Sequence, residues 1–234
     1  MNTIHGSVFV LIAVLLTPLA WSHGDDDPLL NKLMVEQLEL RADDITVAKI
    51  DWWLGKDLHK FWLKTEYERA DNKSHYGEIQ ALYSKAVTPN WDVQVGIRHD
   101  FRLDFASDAN WAVLGIEGIA PYFVDMETAL FIAEDGDTAW RMEAETDWLL
   151  TQRLALIPRI EINAFGRSNE QRLYGSGLAT VDTGLRLAYY LRREFGLYAG
   201  YNYLKRYGNT AELGKNQGVA VSESGWVAGF NLWF

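Results

Sequence analysis

Alternation with a period of two residues runs through most of this chain. In TAWRMEAETDWLL, Trp140, Met142, Ala144, Thr146, Trp148 and Leu150 share one face, while Arg141, Glu143, Glu145 and Asp147 share the other. PYFVDMETALFI sets Tyr122, Val124, Met126, Thr128, Leu130 and Ile132 against Asp125 and Glu127. WDVQVGIRHDF opposes Trp91, Val93, Val95 and Ile97 to Asp92, Gln94 and Arg98. LALIPRIEINAF opposes Leu154, Leu156, Ile160 and Ile162 to Arg159, Glu161 and Asn163, and LATVDTGLRLAYYL sets Val181, Leu185, Leu187, Tyr189 and Leu191 against Asp182 and Arg186. Such a pattern belongs to β-strands whose two faces meet different surroundings. Candidate strands fall near 33–41, 45–54, 60–69, 76–86, 91–101, 111–120, 122–133, 139–150, 154–165, 177–191, 195–206 and 224–234.

Strands of about ten to fifteen residues are roughly twice the usual soluble length, and suit a tilted bilayer crossing. The connections supply a second, independent pattern. Those after the fourth, sixth, eighth and tenth strands are tight (VTPN, a turn at Pro121, TQR, RRE). Those after the fifth, seventh, ninth and eleventh are mostly longer and polar (RLDFASDAN, EDGDT, GRSNEQRLYGS, YGNTAELGKNQGVAVSE). Short turns alternating with long loops are the mark of an outer-membrane barrel, with the turns periplasmic. The last strand, WVAGFNLWF, ends on Phe234 with no polar tail. Trp226, Ala228, Phe230, Leu232 and Phe234 then face lipid and Asn231 the lumen, and the strand closes the barrel by pairing with the first. The expected fold is all-β, an antiparallel transmembrane barrel of about twelve strands, with ten as the alternative and the first two strands carrying the weakest pattern. A soluble periplasmic β-barrel or sandwich is the competing reading, and it predicts a polar outer face.

The N-terminus reads MNTIHGSVFVLIAVLLTPLAWSHGDDDP. Its apolar run from Val8 to Leu16 is too short to span a bilayer as a helix and has the length of a signal-peptide core. The expected organisation is a cleaved signal peptide over 1–22, a short acidic periplasmic segment over 23–32 and a barrel over 33–234. The chain has 22 Lys and Arg against 32 Asp and Glu, a net charge of -10, which argues against nucleic acid as a partner. With no cysteine, disulfides and thiolate metal sites are excluded.

In a closed barrel the polar faces converge on a lumen. It holds Glu66, Glu68, Arg98, Asp125, Glu127, Arg141, Glu143, Glu145, Asp147, Arg159, Glu161 and Arg186. Carboxylates this close need Arg partners or a bound cation. Two readings stand side by side: an ion-pair network that braces the cross-section, and a cation path or site. For a metal the candidates are Glu127, Glu143 and Glu145, then Asp125, Asp147 and Glu161, then His99 and Asp100 at a strand end. By parity His99 sits on the apolar face. His23 with Asp25, Asp26 and Asp27 is either a weak divalent-cation binder or a solvated linker, and Met34 follows it. Catalysis has little to rest on, because Ser176 lies in GSG rather than in G-x-S-x-G. A barrel hydrolase would have to use His99 and Asp100.

The segments VGIRHDFR, PYFVDMETALFIAEDGDTAWRMEAE, EAETDWLLTQRLALIPRIEIN, GSGLATVDTGLRLAYYLRREFGLYAGYNY and RYGNTAELG resemble the copper resistance protein B family, over roughly residues 30–234. The resemblance implies an outer-membrane barrel involved in copper tolerance, with copper as its ion and periplasmic copper-resistance proteins as partners. Outer-membrane lipid and the barrel assembly machinery complete the expected partners. Family members often carry a Met- and His-rich N-terminal extension, where this chain has HGDDDPLLNKLM with one His and one Met. The alternative function is a general small-solute porin.

Overall fold

The computed structural model describes residues 27–42, 45–70, 73–102 and 108–234. The expected signal peptide, His23, Asp25 and Asp26 lie outside the described residues. The sheet runs β1 (Leu30–Arg41), β2 (Ile45–Gly55), β3 (His59–Ala70), β4 (Lys73–Thr88), β5 (Trp91–Arg102), β6 (Ala109–Ala120) and β7 (Val124–Ala133). It continues through β8 (Thr138–Glu145), β9 (Trp148–Leu149), β10 (Leu154–Phe165), β11 (Gly177–Arg192), β12 (Phe195–Arg206) and β13 (Ser222–Trp233). β8 and β9 both pair with β10 and are two pieces of one strand, so the wall has twelve strands. Each pairs antiparallel with its sequence neighbours, and β13 returns to β1.

The closing ladder runs from Met34 opposite Trp233 to Arg41 opposite Val227, with an irregularity between Val35 and Leu38. The last residue completes it. Leu33 N donates to Phe234 O at 3.1 Å, and Phe234 N donates to Leu33 O at 2.9 Å. Closure matters because lipid offers no partner to an open sheet edge.

Parity then sorts the side chains. Val95, Ile97, Leu114, Leu130, Ile132, Leu185, Leu187 and Trp226 point outward and are exposed. This apolar outer face is what membrane immersion requires. Trp62, Leu82, Trp111, Val113, Phe131 and Tyr174 are buried inside. Two glycines let the interior pack. A Cβ on Gly229 would meet Leu38 O and the Tyr198 hydroxyl, and one on Gly184 would meet the Arg186 guanidinium.

Three details depart from the expected pattern. β1 starts at Leu30, so the end of the segment assigned to 23–32 is barrel wall. Tyr122, expected on the outer face of the seventh strand, instead forms a turn with Phe123, both at positive φ (68° and 60°). That region disfavours bulky residues; here the Thr146 hydroxyl anchors the turn by donating to Phe123 O at 3.0 Å. Thr146 is buried and the eighth strand is interrupted at Thr146–Asp147, but the pairing resumes in register, with Trp148 opposite Leu156 and exposed as expected. The long loop before β13 also folds a helix, α1 (Gly208–Asn216).

Deleting Phe234 removes the last rung of the closing ladder. The folded, heat-modifiable form in outer-membrane fractions should fall sharply, while exported unfolded protein accumulates in the periplasm. Wild-type levels of folded barrel would contradict this role.

Candidate functional site

The inward polar faces build one feature that single-strand parity does not show. Asp92 on β5 lies opposite Glu117 on β6, and Glu117 opposite Glu127 on β7. Glu127 lies opposite Glu143 on β8, Glu143 opposite Glu161 on β10, and Glu161 opposite Asp182 on β11. Six carboxylates are thus direct cross-strand neighbours in unbroken succession. Because barrel strands tilt, the row climbs the lumen wall as a ramp. Asp92 stands beside the short turn before β5, and Asp182 is nearer the long-loop end.

Like charges directly opposite one another destabilise a sheet. Cations from β1, β2 and β3, and Arg159 from β10 within the row itself, offset this at every step. Lys60 Nζ reaches Asp92 at 3.1 Å. Lys64 Nζ reaches Glu117 at 2.8 Å and Glu127 at 2.6 Å. Lys49 Nζ reaches Glu143 at 2.7 Å, and Arg159 spans Glu143 and Glu161 at 3.1 and 3.3 Å. Arg41 ends the series 3.6 Å from Asp182.

Two further clusters brace the lumen. Arg141 grips Glu78 with both terminal nitrogens at 2.9 and 3.0 Å, and Arg98 meets the same carboxylate at 2.9 Å. Glu39, fully buried, takes Arg186 in a fork at 2.8 and 3.1 Å. Forked Arg–carboxylate pairs fix orientation as well as charge.

Toward the long loops the lumen opens into a cavity of about 430 Å3. Glu66, Glu68, Glu161, Asp182 and Glu223 line it together with Arg41, Arg98, Arg141 and Arg159. Loop residues Arg172, Leu173 and Tyr174 and helix residue Thr210 complete its wall. The loop 166–176 is tied down at three places. Asp137 accepts bonds from Asn169 Nδ2 (3.1 Å) and Tyr174 Oη (3.0 Å) and an ion pair from Arg167 (2.6 Å). Tyr174 stacks on Phe165 at 3.8 Å, and Gly175 N donates to the Thr210 hydroxyl at 2.9 Å. Burial acts to raise the Asp137 carboxyl, but the bonds from Asn169 and Tyr174 and the charge of Arg167 outweigh it and hold it below the usual range.

The expected site residues separate into groups. Glu127, Glu143 and Glu161 stand on the ramp and are engaged by cations. Asp125 lies opposite Glu145, toward the short-turn end. Asp147 falls in the strand break and is exposed there, accepting from the Tyr190 hydroxyl at 3.3 Å. His99 and Asp100, adjacent in sequence, point to opposite faces. His99 bonds Asn110 on the exposed outer side, and Asp100 turns inward to Arg98 and Trp111, so they do not form one site. Met34 faces the lumen, opposite Asp51, and packs against the interior apolar cluster. Among the described residues no group of three or more His, Cys, Asp or Glu could hold a metal ion. Sequence reasoning missed Lys49, Lys64, Glu39, Glu78 and Glu117. Their signal was the same inward parity, set in strands whose outer faces are less regular.

A family model described as copper resistance protein B precursor matches residues 29–234. The chain belongs to the copper resistance protein B family. A family relative, copper resistance protein B of Escherichia coli, is 37% identical over 217 residues, covering 91% of this chain and 72% of that protein. A copper resistance protein B homolog of Pseudomonas syringae pv. tomato is 39% identical over 182 residues, 78% of this chain and 61% of that one. The chain therefore spans less than two thirds of the second relative's length. Among solved structures the NanC porin matches with TM-score 0.55 at 12% identity, covering 87% of this chain and 99% of its own. The KdgM porin matches with TM-score 0.51 at 9% identity, covering 87% and 98%. These likenesses share the fold, and with the family they make this an outer-membrane barrel of a Gram-negative bacterium.

Two outcomes follow for this family member. Glu78→Gln leaves the Arg98 and Arg141 guanidinium groups facing each other without their shared counter-charge, and removing one partner of a buried pair costs on the order of 3 kcal/mol. Urea unfolding followed by Trp fluorescence should show a lowered midpoint, and an unchanged one would deny the pair this bracing role. For the loop, a lowered carboxyl pKa means that Asp137 contributes stability above about pH 4, the ordinary carboxylate value, and that this is lost as pH falls through the lower folded value. A spin label on Glu170→Cys should be immobile at pH 7 and mobilise only in strong acid. With Asp137→Asn it should be mobile throughout.

Proposed function

We propose that this barrel passes copper ions across the outer membrane through its acidic lumen, without catalysing a reaction. The observation that carries the reading is the carboxylate ramp leading away from a cavity at the long-loop end, in a chain of the copper resistance protein B family. Acidic walls concentrate cations and repel anions. Isolated carboxylates already engaged by Lys or Arg hold a metal weakly, which favours passage over storage. Oxygen donors of this kind suit Cu(II) better than Cu(I), for which Met34 supplies the one thioether facing the lumen among the described residues. Periplasmic copper-resistance proteins are the partners on the inner side, the assembly machinery inserts the barrel, and outer-membrane lipid surrounds it.

The non-enzymatic reading is supported by the surroundings of His59 and His99. His59 bonds Tyr83 and His99 bonds Asn110, so neither faces a serine nucleophile. A general porin is the second reading, supported by the likeness to NanC and KdgM barrels. The lumen's cross-linking ion pairs argue against wide, unselective passage.

Deleting the gene should change copper tolerance or cell-associated copper, measured by growth inhibition and metal analysis. Unchanged tolerance and content across several growth conditions would overturn the reading. In liposomes, copper should enter faster than uncharged sugars of similar size, and equal entry would favour the porin.

A further inference from the structure

The lysines on the ramp differ from the arginines around them. Arg141 is clamped in a fork by Glu78, and Arg159 is held by Gln37, Glu143 and Glu161 together. Lys64 and Lys49 are single ammonium groups on flexible stems, each resting on ramp carboxylates. An ammonium is a compact charge with rotatable donors, whereas a guanidinium is a rigid fork. The two lysines thus occupy the positions that a mobile cation would occupy. They stand where the cavity has ended, since Glu161 and Asp182 line the cavity while Glu143, Glu127, Glu117 and Asp92 continue beyond it.

A second observation points the same way. Asp51 on β2 is the direct cross-strand neighbour of Lys64, faces the lumen and is only 3% exposed. Its Oδ1 is buried and accepts no hydrogen bond. A buried carboxylate oxygen without a donor is costly, and a cation or an ordered water relieves it. Lys64 already serves Glu117 and Glu127, so Asp51 is a carboxylate in excess of the cations available at this level.

We propose that Lys64 and Lys49 are tethered cations seated on the carboxylate ramp, and that permeating cations cross by displacing them in turn, with Asp51 the receiving site beside Lys64. The ramp is shut while the ammonium groups sit on it. It opens when an incoming cation takes over a carboxylate and the lysine swings off; the added positive charge is balanced by carboxylates not otherwise engaged, Asp51 beside Lys64 and Glu36 3.6 Å from Lys49. This deepens the reading that cations pass through the lumen, and it does not depend on the cation being copper.

The test uses the purified full-length barrel in planar bilayers, with KCl and MgCl2 as the probes. Wild type should conduct poorly. Lys49→Met with Lys64→Met should raise K+ conductance about tenfold, the scale on which focused charge changes ion flux, and shift the reversal potential toward cation selectivity. Lys64→Arg should keep conductance low, because a forked guanidinium is harder to displace. Adding Asp51→Asn to the double Met variant should reduce its Mg2+ conductance. Heat-modifiable migration verifies folding. If the double variant does not fold, Lys64→Gln alone is measured, with the same sign expected. A folded lysine variant with wild-type conductance, or with anion selectivity, overturns the proposal. Raised cation conductance together with unchanged cellular copper on gene deletion would keep the ramp and remove copper as its cargo.

Discussion

No backbone edge can stand unpaired in hydrocarbon, and the ladder between β1 and β13 is what removes the edge here. Everything else in the structure descends from that closure. Once the sheet is a cylinder, each strand has a lipid face and a lumen face, and every polar side chain of the wall must share one narrow interior. Like charges then become cross-strand neighbours, as from Asp92 to Asp182, and basic residues on β2, β3 and β10 are needed to hold them together. The lumen is crowded with charge because the membrane leaves it nowhere else to go.

The interior divides by the kind of cation used. Around Glu78 and Glu39 the partners are arginines in forks, which set distances and resist rearrangement. Below the cavity the partners are chiefly lysines, with Arg159 sharing Glu143, and a lysine neutralises without fixing geometry. A barrel that had only to stay round would gain from arginine throughout. Lysine at these steps gives rigidity up to something that can exchange.

Much of the wall was legible from the sequence because period-two alternation is a local signal. The strands at 154–165 and 195–206 were read with the bounds they have in the structure, and the expected alternation of short turns and longer loops is present. The lumen was legible only as a list of inward residues. Parity says which face a side chain occupies, not which neighbour it meets, so the succession of carboxylates had to wait for the register. Lys49 and Lys64 were overlooked because DWWLG and FWL place aromatic residues on both faces of β2 and β3, Trp52 and Trp53 in one and Phe61 and Trp62 in the other, blurring the alternation. Tyr122 and Phe123 departed from the pattern for another reason: the turn before β7 is held by a hydroxyl-to-carbonyl bond from Thr146, just past the neighbouring strand β8, which local alternation does not reveal. The helix at Gly208–Asn216 is too short to show a clear apolar stripe.

The cross-strand succession of carboxylates also bears on how the sheet finds its alignment. If one strand slid by one residue, its carboxylate would turn out to lipid. If it slid by two, the face would be right, but the step would lose its partner lysine or arginine and two neighbouring carboxylates would be left with no counter-charge. The hydrophobic pattern is blind to the second error, since a slip of two keeps every apolar side chain outside. The ion pairs are not. Charge in this lumen therefore favours one strand register over those two residues away, independently of whatever ion later travels along it.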